Sequence, residues 1–178
     1  MRVRGMMSLV VIIRATRKLL TRLGSRPGSD VPGATSLLGD WYANVLPWGR
    51  RQVALFVSEP TLLPVLMPLA PAATLLDRFP DQLAAVLRAH GVEESIITGE
   101  FTASQDYRVT TTASRSVLGS MSDFAFLAEH TRHNDPEVDL LDLSMRLSRT
   151  PCSPLYRRHV SPDRELQALL STHASQQP

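Results

Sequence analysis

The sequence predicts an α+β fold: an antiparallel sheet of four to five strands with helices mainly on one face over residues 8–132, then a short helical C-terminal extension with a disordered end over 133–178. Three observations predict it. Between Asp40 and Pro68, three apolar runs are separated only by the short turn segments "GRR" and "EPT", the pattern of an antiparallel meander. From residue 71 to 103 the apolar spacing lengthens to the three-to-four-residue period of helices. After "HNDPE" the character changes: Val138, Leu141 and Met145, with Leu140, Leu143 and Leu147 on a neighbouring track, give a short helix, and "RTPCSPLYRRHV" is broken by prolines. A length of 178 residues suits one domain, and a single cysteine, Cys152, rules out an intrachain disulfide and a disulfide-stapled secreted scaffold.

The elements follow in order. "SLVVIIRA" reads as a first strand, and within it Val10 to Ile13 is β-branched and continuously apolar, which suits burial on both faces. Thr16 N-caps a helix over Arg17–Leu23, which Gly24 ends; Leu19, Leu20 and Leu23 face inward and Arg17, Lys18 and Arg22 outward. Residues 24–36 are a Gly/Pro/Ser loop. "DWYANVLPW" is a strand with Trp41, Ala43 and Val45 on one face and Tyr42, Asn44 and Leu46 on the other. "QVALFVS" is nearly all apolar and belongs centrally. "LLPVLMP" carries Pro64, which has no N–H to donate, and belongs at an edge. "AATLLDRF" and "PDQLAAVLRAHG" are helical, with Pro80 at a first helical position and Gly91 as the stop. "EESIITGEF" is a weaker helix and "DYRVTTTA" a further strand. "SRSVLGSMSDFAF" leads into a helix ending near Thr131. Ser120 and Asp123 fit an S-x-x-D cap, which places the helix start there and leaves "SRSVLG" as its approach. Ser161 caps a last helix with Pro162 at its first position, and "STHASQQP" is expected to be disordered.

"MRVRGMMSLVVII" has the basic start and apolar run of a targeting segment, but the run ends at Arg14, lacks a small-residue cleavage site and falls short of the ~20 residues of a membrane span. Met6 or Met7 is a candidate start, with Met1–Gly5 a disordered extension. The expectation is a cytoplasmic protein with no membrane association.

Charge is unevenly spread. Residues 1–51 hold nine basic and two acidic groups, a net +7, and residues 52–178 a net −5. The basic set Arg17, Lys18, Arg22, Arg50 and Arg51, with Trp48 beside it and Arg14 near it, is a candidate nucleic-acid-binding surface. The plain alternative is a solvated helix face. Gly119 and Ser120 at a helix start, with Arg115, are candidates for holding an anion, against the simpler reading that Ser120 and Asp123 satisfy those amides themselves. Asp40, Tyr42 and Asn44 on one strand offer a carboxylate, a phenol and an amide to a pocket, against a reading in which they cap and pack. Glu129, His130, His133 and Asp135 lack any zinc framework, so no metal or cofactor is expected.

Taken as an ordered series, Arg14-x-Thr16-x-Lys18-Leu19-Leu20, "LGDWYAN" from Leu38, "TLLPV" from Thr61, Phe79-Pro80 and "RSVLGSMSDF" from Arg115 resemble a family of short bacterial proteins catalogued as a domain of unknown function. The resemblance spans about residues 8–130. It implies the domain limits and a cytoplasmic bacterial setting, and it brings no activity, cofactor or partner. The chain departs from the family pattern at Ala15, where a cysteine is frequent, and at Ser114 and Ser122, where asparagines stand. The functional expectation is therefore a non-catalytic binding or interaction module with an anionic partner, nucleic acid or an acidic protein surface. The alternative is a small enzyme with a pocket around Asp40, Tyr42, Asn44, Arg115 and Asp123.

Overall fold

The computed structural model describes residues 9–29, 33 and 36–176, so the candidate start methionines and the proposed Met1–Gly5 extension lie outside the described residues. Five strands form one sheet in the order β4-β3-β2-β1-β5. They are β1 (Val11–Ala15), β2 (Trp41–Trp48), β3 (Arg51–Ser58), β4 (Pro64–Pro68) and β5 (Tyr107–Thr111). Among the described residues six α-helices accompany them: α1 (Arg17–Leu23), α2 (Leu75–Ala89), α3 (Glu94–Gln105), α4 (Arg115–Asn134), α5 (Leu140–Ser148) and α6 (Pro162–Gln176). The α+β class is thus the observed one.

The meander is antiparallel, with Trp41 opposite Ser58 and Trp48 opposite Arg51 across β2–β3, and Val57 opposite Pro64 across β3–β4. The sheet as a whole is mixed. β1 runs parallel to β2 and to β5, pairing Ile13 with both Trp41 and Val109. The reason lies in the connections. A helix and a long segment separate β1 from β2, and such a crossover returns the chain to the same end of the sheet, whereas the two residues between β2 and β3 must reverse it.

Alternation along the strands builds two cores. Val11, Ile13, Trp41, Ala43, Val45, Ala54 and Phe56 pack on one face against α1, α2, α3 and Leu166 of α6. Phe79 of α2 is its aromatic centre, 4.3 Å from the Phe56 ring and 5.2 Å edge-on to Trp41. On the other face Tyr42, Leu46, Val53, Leu55, Val57 and Leu66 pack against Val117, Met121 and Phe124 of α4 and Leu143 and Leu147 of α5. Four helices lie on the first face and two on the second. A strand as apolar as β3, buried from Val53 to Ser58, requires cover on both sides.

The edges are closed by side chains. Ser144 Oγ accepts the Leu66 N–H at 2.9 Å and Gln82 donates to the Leu66 carbonyl at 3.1 Å, so β4 offers little ladder to another chain. Beyond β5, Gly28 donates to the Val109 carbonyl at 2.9 Å.

Three local expectations change. Pro80 lies inside one continuous helix, α2, rather than at a first position; its ring forfeits the single bond its N–H would have made, and burial of Phe79 and Pro80 holds the helix through it. α4 starts at Arg115, six residues before the expected Met121. The last segment is helical through Gln176, because Leu166 anchors α6 in the first core.

Candidate functional site

The candidate residues sort into two regions of different character. The first lies on the second face of the sheet, where β1 and β2 meet the start of α4. Arg14 sits in register with Tyr42. Its Nε donates to Asp40 Oδ2 at 2.6 Å, with the two side chains 24% and 8% exposed. Tyr42 is fully buried and its hydroxyl accepts the Ser114 N–H at 2.9 Å. Burial is the main reason its phenol titrates above the ordinary tyrosine range. Asn44 Oδ1 accepts from the Thr16 hydroxyl at 2.7 Å and from the Val45 N–H at 2.8 Å. Thr16 is also the N-cap of α1, as its position before the helix predicts, and accepts the Leu19 N–H. These bonds tie the β1–α1 junction to β2 and β2 to α4.

Ser114 therefore brings Arg115 next to Tyr42, and Asp40 reaches the same neighbourhood through Arg14, which is in register with Tyr42. Arg115 is exposed at the first position of α4. The other expected members are elsewhere. Ser114, not Ser120, caps the helix, its hydroxyl accepting the Val117 N–H. Gly119 and Ser120 lie in the second turn, where their amides belong to the helix ladder and have none to offer an anion. Ser120 is buried and bonds back to the Ser116 carbonyl. Asp123 is exposed, about 12 Å further along the axis. It lies near enough to Cys152 to reinforce burial in pushing that thiol up to about 11, so Cys152 is an inert core thiol at neutral pH.

The second region is basic. Arg17, Lys18 and Arg22 are exposed on α1, and Arg50 and Arg51 are exposed at the β2–β3 hairpin tip. Arg22, Arg50 and Arg51 line one groove of about 690 Å³, with Pro47, Gly49 and Ala70 among its other walls and, among the described residues, no acid in its lining. Arg17 opens on a neighbouring cleft of about 520 Å³ at the ends of β1 and β5, beside Thr111 and Thr112, again without an acid. Arg51 also borders a third cleft that contains Glu137 and Asp139. Trp48 is engaged: the Arg132 guanidinium lies 5.7 Å from its ring centroid.

Two participants were not singled out from sequence. Arg132, which braces the hairpin tip, carries no sequence signal linking it to Trp48. Glu100 carries one. It falls on the inward stripe of α3 with Ile97, Ala103 and Ser104, where an acid is out of place.

Among the described residues no group of three His, Cys, Asp or Glu is placed to hold a metal ion. His130 bonds to Asn134 one turn along, near the C-terminal end of α4. No described helix is long and apolar enough to cross a membrane.

Among curated proteins and among solved structures, nothing matches the chain. A family model does match, over residues 12–165, from within β1 to the first turn of α6. The chain belongs to the family described as a domain of unknown function, DUF6933.

Proposed function

We propose that this domain is a non-catalytic binding module for an anionic partner, with nucleic acid as the partner class, working in a bacterial cytoplasm. The observation that carries the reading is the groove lined by Arg22, Arg50 and Arg51 without an acid. Among the described residues none of the three takes part in an ion pair. Cations left exposed and unpaired in a concave surface focus field on whatever enters it. A guanidinium fork matches two phosphate oxygens at once, so three of them suit a phosphate backbone better than a single carboxylate.

The small-enzyme alternative would draw on Asp40, Tyr42 and Asn44. Each already holds a protein partner at 2.6–2.9 Å, and a catalytic role would require it to release that partner.

Fluorescence anisotropy with labelled single-stranded and duplex RNA and DNA across a salt series tests the proposal. Binding should weaken as salt rises, because each neutralised phosphate releases condensed counterions. Arg22→Ala/Arg50→Ala/Arg51→Ala should reduce the slope of log K against log salt by about 2 to 3 while leaving the melting temperature unchanged. Absence of salt-dependent binding, or an unchanged slope in the triple variant, sinks it. Binding to an acidic polypeptide but to no nucleic acid would assign the groove to an acidic protein instead.

A further inference from the structure

On the first face of the sheet, away from the basic groove, a cleft of about 360 Å³ lies between α3, the 36–37 segment and α6. Glu100 is its buried floor, 4% exposed. Its Oε1 accepts the Leu37 N–H at 2.8 Å. Its Oε2 is buried and has no hydrogen-bond partner among the described residues. Ser36, Leu38 and His173 also favour the ionised carboxyl, yet burial outweighs them and pushes its pKa up. Leu37, Ile96 and Ala103 give the cleft apolar walls, Glu93 adds an acid at the rim, and among the described residues no arginine or lysine lines it. Gly99 leaves open space on the wall next to Glu100.

A carboxyl buried with one oxygen unbonded is an expensive arrangement, costing more than an apolar side chain would. Its missing partner is a hydrogen-bond donor, and a positively charged donor would also restore the ionised form. The volume is that of a small-molecule site, and the walls suit a short hydrocarbon body. We propose that this cleft binds a small organic cation, a primary alkylammonium whose N–H donates to Glu100 Oε2 while its chain lies along Leu37, Ile96 and Ala103. A metal ion fits less well, since the described residues bring no three ligands together. His173 also lines the cleft.

The test uses full-length protein labelled with nitrogen-15 at pH 8, where an ordinary imidazole is neutral and carboxylates are ionised. n-Butylammonium, butyramide and butyrate are titrated at constant ionic strength. Saturable amide shifts at Leu37, Ile96 and Gly99 are expected with butylammonium alone. Glu100→Gln keeps the shape and should weaken binding at least tenfold. Gly99→Leu leaves the carboxyl in place, adds a side chain where there is room, and should abolish binding by filling the cleft; it decides the matter if the glutamine variant folds poorly. The proposal is overturned if butylammonium does not saturate, if butyramide or butyrate binds as tightly, or if Gly99→Leu binds as the wild type does.

Discussion

Asp40 and Glu100 are both buried carboxyls, 7% and 4% exposed, and they are held in opposite ways. Asp40 faces a guanidinium at 2.6 Å in a cluster where Tyr42, Asn44, Thr16 and Ser114 are also bonded. Glu100 forms no ion pair with an arginine or lysine among the described residues, accepts one short backbone bond, and keeps an oxygen that no described residue bonds. The difference teaches where to look for function in this molecule. A polar group whose partners are all supplied by the chain is committed to holding the fold. A polar group kept buried at a cost, or a cation left exposed in a groove, is open to something else.

The comparison breaks most sharply at Asp40. Asp40→Ala strands Arg14 beside the sheet and should cost about 3 kcal/mol in urea unfolding, the lower end for a broken buried pair because Arg14 is a quarter exposed. A loss under ~1 kcal/mol would show that the pair does not hold the fold. Tyr42→Phe comes next. It removes only the hydroxyl and leaves the Ser114 N–H without its acceptor at a part-buried site. The expected loss is about 1 to 2 kcal/mol in the same assay.

Tyr42 also explains what could and could not be read in advance. The division of β2 into Trp41, Ala43 and Val45 against Tyr42 and Leu46 was legible, because strand geometry alone sends neighbours to opposite faces. So were the two ends of α1, set by Thr16 and Gly24 a few residues apart. The direction of β1 against β2 was not, since it depends on how a long connection runs. Nor was the start of α4. Ser114 and Ser120 both precede helical spacing and both can cap. What separates them is the Tyr42 hydroxyl, 72 residues away in sequence, which takes the Ser114 N–H and fixes the chain there. Ser114→Ala should therefore cost about 1 kcal/mol, while Asp123→Ala, exposed and past the cap, should stay within about 0.5 kcal/mol. The reverse order, by thermal unfolding, would put the helix start back at Ser120.

The gentlest probe acts on Glu100, and it should move stability in the opposite direction from the others. Burial raises its folded-state pKa above the ordinary 4.5, so in the window above 4.5 the folded chain binds more protons than the unfolded one. Stability carried by this group is then fully present below about pH 4.5 and is lost as pH rises through the raised pKa. Glu100→Gln cannot ionise and keeps an acceptor for the Leu37 N–H. Against the wild type, it should gain relative stability as pH rises through that window and level off above it, read from urea unfolding at pH 4, 6 and 8. Asp40, already paired with a cation, supplies the contrast: Asp40→Asn should lose stability relative to the wild type at pH 8. If Glu100→Gln is instead destabilised at pH 8 to the same degree, the two carboxyls are equivalent structural clamps, and the distinction between a satisfied cluster and an open cleft does not hold.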